Sequence, residues 1–321
     1  VVHAAATPGF RPTTIAYQAT PMTTSLLASS VLVLAGMLAA GAAGMLTSSI
    51  MGQGKRRENL YDRLYSLRWG DATTNNYGFA PAETVEPERF QLQLYTELLK
   101  LLEDTAGAAG IERVLEVSCG RGGGLRHLVQ RLPGAKQVVG LDSSMHAIRF
   151  CRTRYAALPH VAFVRAHALR LPFPAGSFDL VINVEASHAY RDDAAFLREV
   201  RRVLRVRGRL LYADHRTRRK VPRLEQLARA AGFAGALHDV TSNVVRACDL
   251  DSERRKALIR SGLPWWSRPF GRGRLERYAG IPGTAAYERL RSRDRMYFIA
   301  CLTVGQEELG EPAAPRPGRA A

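Results

Sequence analysis

Residues 114–124 read VLEVSCGRGGG. An apolar run with a single acid, Glu116, ends in a glycine cluster. The flanking run 111–117 predicts a strand, and 122–132 predicts a helix. Glycine lets the chain turn sharply after a strand and lets a ligand come close to the backbone. Asp142 follows Gly120 by 22 residues, at the end of the next apolar run, 137–142. In a doubly wound sheet this is where an acid meets a ribose diol. The glycine pattern is C-G-x-G-G-G and not the dinucleotide fingerprint G-x-G-x-x-G. Glu116 suits a cationic amino-acid group better than a pyrophosphate.

Working outward, strand and helix patterns alternate. Helices are expected at 86–106, 145–158, 192–204, 221–231 and 249–261, and strands at 161–166, 178–184, 209–213 and 295–304. In the first helix, Phe90, Leu94, Leu98, Leu101 and Leu102 lie at helical spacing. Residues 61–81 read as a helix followed by a loop. Alternation with apolar strands predicts an α/β fold, a mostly parallel seven-stranded sheet with helices on both faces.

The N-terminal part differs. Residues 1–57 contain no acid, and 26–46 form 21 uncharged residues, long enough to cross a bilayer core. Lys55, Arg56 and Arg57 follow, which would hold the rest of the chain on the cytosolic, stromal or matrix side. The expected layout is a leader at 1–24 with possible organelle targeting, a transmembrane anchor at 25–50 and a helical cap at 55–108. The catalytic domain spans 109–304 with a substrate cap near 246–294, and 305–321 is expected to be a disordered tail. A cleaved targeting peptide and a helix packed on the soluble domain are alternatives for 26–46.

The chain carries 46 Lys and Arg against 29 Asp and Glu, a net charge of +17. No basic run with interleaved aromatics accompanies it, so a membrane surface is a better partner than nucleic acid. Cys119, Cys151, Cys248 and Cys301 lie far apart without C-x-x-C spacing, which predicts free thiols and no metal site.

The strings VLEVSCGRGGG, GLDSS, LPFPAGSFDLVINVEASH and FLREVRRVLRVRGRLLYAD, in this order, resemble the successive motifs of Rossmann-like class I methyltransferases. The EVSCG-x-GGG and VEASH-x-Y strings resemble those of mycobacterial phthiotriolone/phenolphthiotriolone dimycocerosate O-methyltransferases. The resemblance implies S-adenosylmethionine as cofactor. By it, Glu116, Ser118, Gly120 and Gly122 hold the methionine end, with Asn183 in the same set. Asp142 holds the ribose, and Ser143 and Met145 flank the adenine. Relatives carry G-D-A after the third strand, where this chain has Ala166, His167 and Ala168. His167 and Ala168 are therefore assigned to the adenine.

Methyl transfer to oxygen gains from a base. His188, in the string NVEASH, is the first candidate, with Glu185 as a cofactor contact or orienting group. Asp214 and His215 come second. Tyr65, Trp69, Tyr77, Phe79, Trp265 and Trp266 are expected to line an apolar mouth for a hydrophobic small molecule or lipid. Transfer to carbon or nitrogen of a quinone, terpenoid or other membrane-soluble metabolite, or a catalytically degenerate scaffold, would fit the same motifs. The position of NVEASH lacks the N/D-P-P-Y string of amino-methylating nucleic-acid enzymes, and offers one acid where protein-arginine enzymes have two. Oligomeric state is left open.

Overall fold

The computed structural model describes residues 61–305, apart from Arg63, Arg68, Pro159, 264–272 and Arg274. The expected leader, anchor and C-terminal tail, and Trp265 and Trp266, lie outside these residues. Among the described residues, no helix is long and apolar enough to cross a membrane.

The chain runs through α1 (Arg89–Ala106), β1 (Arg113–Val117), α2 (Gly123–Val129), β2 (Gln137–Asp142), α3 (Met145–Arg154), β3 (Val161–Arg165) and β4 (Phe178–Val184). It continues through α4 (Asp193–Val203), β5 (Leu204–Thr217), α5 (Val221–Ala230), β6 (Phe233–Ala234), β7 (His238–Asp239), α6 (Thr241–Leu250) and α7 (Ser252–Gly262). It ends with α8 (Ala285–Arg291) and β8 (Arg295–Val304). The sheet order is β3-β2-β1-β4-β5-β8-β6, with β7 also paired to β8. Strands β1 to β5 are parallel to their neighbours, and β8 is antiparallel to β5. The expected seven strands are thus eight. Both β6 and β7 are two-residue pairings on the long β8, too short for a period-two pattern to announce them.

Side chains along the central strands alternate between two cores. Val114, Leu180, Ile182, Tyr297 and Ile299 face the layer of α1, α2, α3, α6 and α8. Leu115, Val117, Val181, Phe298 and Ala300 face α4 and α5. With both faces covered, the strands are apolar throughout, and β4 is buried at every position. Helix α1 buries the expected Phe90, Leu94, Leu98 and Leu102. Ser144 caps α3 and Asp192 caps α4, each accepting from a backbone N–H three residues on.

Two expectations are corrected. Strand β5 begins at Leu204, five residues before the expected Arg209. It starts with a bulge, because Phe178 pairs Leu204 while Leu180 pairs Arg209. Arg207 takes φ 60° inside that bulge. The helix expected at 249–261 is α7, which starts at Ser252, and an unexpected helix, α6, precedes it and ends at Leu250. The Asp251 carboxylate binds Gln91, Arg254 and Arg255, tying the α6–α7 corner to α1.

The glycine cluster lets the segment before α1 close onto β1 and α2. Gly122 sits at φ 75°, the left-handed conformation that Gly adopts without penalty. A Cβ on Gly124 would come within 1.9 Å of the Tyr95 ring. Above the cluster, the Glu88 carboxylate accepts from the backbone and hydroxyl groups of Thr73 and Thr74. Thr73 O in turn accepts from Gly123 N at 3.1 Å. Gly124→Ala is expected to destabilise the fold by about 1–3 kcal/mol through overpacking. Urea denaturation measures this, and an unchanged midpoint would contradict the close approach.

Candidate active site

Two cavities lie at the carboxyl ends of the strands, where a doubly wound sheet binds ligands. The smaller, about 30 Å³, lies over the glycine cluster. It is lined by Tyr65, Thr73 to Asn76, Tyr95, Ser118 to Arg121, Gly124 and Val184. The larger, about 470 Å³, lies beside it and shares Tyr65, Thr74, Asn75, Asn76 and Arg121.

Of the expected cofactor residues, Ser118 and Gly120 line the smaller cavity, and Glu116 and Asp142 are hydrogen-bonded to residues that do. Glu116 ends β1, is 2 % exposed, and accepts from Tyr95 Oη at 2.8 Å. Burial pushes its carboxyl up to about 8, with Asp142 adding to the rise. Its Oε2 has no hydrogen-bond partner. Asn183, at the end of β4, donates to Val117 O and Tyr190 Oη, and its Oδ1 also has no partner. Ser118, at φ 62°, lies 2.6 Å from Tyr190 Oη. Asp142 accepts from Gly120 N at 2.9 Å and Ser144 N at 2.8 Å, which joins the β1 and β2 loops. Ser143 is exposed and Met145 half-buried at the start of α3.

These side chains suit S-adenosylmethionine. A buried carboxylate oxygen and a buried amide oxygen, both without donors, need hydrogen-bond donors such as an amino-acid ammonium. Asp142 keeps acceptor capacity for a diol. The cavity itself holds little more than water, because Tyr65 lies on the glycine turn, its Oη 2.6 Å from where a Gly120 Cβ would sit. Tyr65 must swing off Gly120 to admit a larger ligand.

His167 and Ala168 stand apart from both cavities. His167 Nδ1 accepts from Leu169 N at 3.1 Å, the turn-closing bond that an Asp side chain makes to the residue two ahead. Ala168 is buried in the core against α4 and α5.

The larger cavity is built around the loop after β4. His188 Nδ1 donates to Asp214 Oδ1 at 2.8 Å. Its Nε2 is turned to the cavity, 3.3 Å from Tyr61 Oη. Asp214 is fully buried at the end of β5. It also accepts from Ser187 Oγ, His188 N and His215 N, and pairs with Arg216 at 3.2 Å. Burial alone would raise its pKa. Arg216 and, when it carries a proton, His188 outweigh this and hold the carboxyl well below the usual range. His215 stacks beside His188 with ring centres 4.2 Å apart. Burial above all, and then the charge of His188 when it carries a proton, hold His215 well below its ordinary value, so it stays neutral. Ligand atoms of His188, Asp214 and His215 lie within 4.8 Å of one another, as a metal site would need. Here both Asp214 oxygens are engaged by donors, one of them the Arg216 guanidinium, so its charge is already offset.

Glu185 takes φ 45°, rare for a residue with a Cβ. Its Oε1 accepts from Tyr77 N at 2.6 Å and Tyr297 Oη at 2.7 Å. Burial pushes its carboxyl up to about 7. It fixes the wall of the larger cavity. Of the expected mouth aromatics, Tyr65, Trp69 and Tyr77 line this cavity. Phe79 does not: it packs in the core and donates its N–H to Phe90 O. The site also uses Tyr95, Tyr190 and Tyr297, which the sequence reading did not assign. Tyr190 alone left a signal, as the last residue of VEASH-x-Y.

The raised Glu116 predicts proton-linked cofactor binding. Below about pH 8 Glu116 holds a proton, which an incoming ammonium must displace. Affinity for S-adenosylhomocysteine is expected to climb with pH and to level off above about pH 8. Calorimetry at pH 7 in buffers of different ionisation heat reads the released proton. Glu116→Gln should abolish the release, and a wild-type protein that releases none would contradict the assignment.

Comparisons with known proteins identify the family. The chain matches the family model described as "Methyltransferase domain" over residues 114–208. It is 36% identical over 226 residues to a probable phthiotriol/phenolphthiotriol dimycocerosates methyltransferase 2 of Mycobacterium ulcerans (strain Agy99), covering 70% of this chain and 83% of that one. It is 34% identical over 244 residues to a fatty-acid O-methyltransferase of Mycolicibacterium smegmatis, covering 75% and 84%. The [4+2]-cyclase SpnF superposes with a TM-score of 0.60 at 19% identity, over 77% of this chain and 95% of that chain. Geranyl diphosphate C-methyltransferase from Streptomyces coelicolor A3(2) superposes with a TM-score of 0.56 at 18% identity, over 78% and 98%. A cyclase among them shows that the fold alone does not fix the chemistry. On the family model and these sequence relatives, the chain belongs to the class I S-adenosylmethionine-dependent methyltransferases, alongside the phthiotriol dimycocerosates and fatty-acid O-methyltransferases.

Proposed function

We propose that this methyltransferase methylates a hydroxyl oxygen of a largely apolar, lipid-like acceptor, with His188 as the base. The observation that carries this reading is the His188–Asp214 pair at 2.8 Å, with Nε2 facing the larger cavity. The relatives named for lipid substrates support the acceptor class.

S-adenosylmethionine, when bound, supplies a methyl group already activated on a sulfonium. What the chain must provide is alignment, exclusion of water and a place for one proton. The hydrogen bond from Nδ1 to Asp214 fixes the tautomer and leaves Nε2 as acceptor. As the acceptor oxygen gains its methyl group, its proton moves to Nε2. The imidazolium is then stabilised by the Asp214 carboxylate across 2.8 Å. Neutral His215 places no second cation against it. Tyr61, Leu64, Trp69, Leu258, Ile259 and Leu275 provide apolar wall for the acceptor body. Glu116 and Asn183 would hold the amino-acid end of the cofactor and Asp142 its ribose.

Replacing His188 by Ala is expected to lower turnover by about 10²–10⁴-fold while leaving S-adenosylhomocysteine affinity unchanged. Full turnover in this variant would reject the base and point to an acceptor atom that needs none, such as an oxygen already ionised.

The same reading puts the enzyme at a membrane surface. It is supported by the uncharged residues 26–46, the cations Lys55 to Arg57 and the net charge of +17. Full-length protein is expected to float with anionic vesicles and to stay with them in 1 M salt, which screens charge attraction to ~3 Å. Release by salt would argue for surface attraction without an anchor.

A further inference from the structure

Among the described residues, the larger cavity is lined by six cationic side chains, Arg121, Arg216, Lys220, Arg254, Arg255 and Arg295, against a single acid, Glu185. Most of these charges are already answered. Arg216 pairs with Asp193 and Asp214. Arg254 and Arg255 share Asp251. Arg121 donates to Gly70 O and lies 3.8 Å over the Phe150 ring. Arg295 and Lys220 have no carboxylate partner among the described residues. The Arg295 Nε is buried and makes no hydrogen bond. Arg295 is half-buried, and its unpaired Nε leaves hydrogen-bonding capacity that an anion in the cavity can take up.

The pleat directs Arg295 inward. Residues 295, 297 and 299 share one face of β8, and Tyr297 on that face reaches Glu185 in the cavity wall. Arg295 is paired with Thr217, two residues beyond the His215–Tyr297 pair. Two residues of strand span roughly 7 Å. The cation thus stands one pleat repeat from the imidazoles where the proton is taken. Its field is felt there, as a minor contribution, after burial and His188, to the lowered His215. Lys220 lies at the exposed rim just beyond the end of β5. Glu185 offers little opposition: its shared oxygen is bound by Tyr77 and Tyr297, and burial raises its carboxyl to about 7.

We infer that the acceptor carries an anionic group, a carboxylate or a phosphate, in addition to its apolar body, and that Arg295 receives it with Lys220 at the rim. The anion is an anchor and not the methylated oxygen. Bidentate contact to a planar guanidinium suits either oxyanion. Anchored there, an acceptor presents a hydroxyl one pleat repeat away, toward His188. This specificity goes beyond a neutral lipid acceptor, and it rests on the cavity being the acceptor site.

Calorimetric titration with dodecanoate, dodecyl phosphate and dodecanol, in the presence of S-adenosylhomocysteine, tests it. At least one of the two anions is expected to bind wild-type protein roughly tenfold or more tightly than the alcohol, the scale of a charge-assisted contact. The tighter of the two identifies the anion. Arg295→Gln should remove the preference, and Arg295→Lys should keep part of it. Lys220→Gln, at an exposed site, should reduce it several-fold even if Arg295→Gln fails to fold. Equal binding of alcohol and anions, or a preference that survives in both Gln variants, would overturn the inference. Failure to bind S-adenosylhomocysteine would instead count against the methyltransferase site, leaving the head-group preference to stand or fall separately.

Discussion

The active site depends on one buried carboxylate. Asp214 has no exposed surface, yet it stays ionised because donors converge on it from the loop after β4 and from its own strand end. An uncompensated charge there would cost several kcal/mol. The compensation fixes the site. Ser187 and His188 are drawn onto the end of β5, the imidazole is given one tautomer, and Arg216 is held beneath it together with Asp193. The loop after β4 therefore cannot move without breaking a charged network. That rigidity is what a base needs when the methyl donor is already activated and alignment limits the reaction.

The second constraint is the closeness of the N-terminal cap to the glycine cluster. Tyr95 reaches Glu116 because residue 124 has no Cβ, and Thr73 reaches Gly123 because Glu88 gathers the Thr73–Thr74 turn. The same cap touches both cavities. Tyr65 lies on Gly120, Asp62 bonds Ser144, and Tyr61 meets His188. Movement of this one segment changes access to the donor and acceptor sides together. A segment that must shift to load the cofactor thereby also shapes the acceptor mouth.

Much of this was legible in the sequence, and the reasons are physical. Strands buried on both faces are continuous apolar runs, so β2, β4 and β8 fall on the residues expected. Glycines and acids at strand ends marked Glu116, Gly120, Gly122 and Asp142, because turn geometry and ligand charge constrain local residue type. Helix α6 was missed because it buries Thr241, Val244, Ala247 and Cys248, a face too weakly apolar to stand out. Tyr95, Tyr297 and Asp214 escaped a firm role because their partners are 21, 112 and 26 residues away. Such contacts follow from register and helix packing, which periodicity does not encode. His167 shows the converse: a position marked by resemblance, whose ring here closes its own turn.

In the function proposed above, a proton-accepting imidazole set over an apolar cavity with a cationic rim directs the methyl group to an oxygen of a lipid-like acceptor. The most direct measurement is incubation of the full chain with methyl-labelled S-adenosylmethionine and a lipid extract of the organism that makes it, followed by mass identification of the labelled product. The expected product is a methyl ether on an apolar molecule that retains an anionic group. Label on carbon or nitrogen, or no labelled lipid from a protein that binds the cofactor, would contradict it.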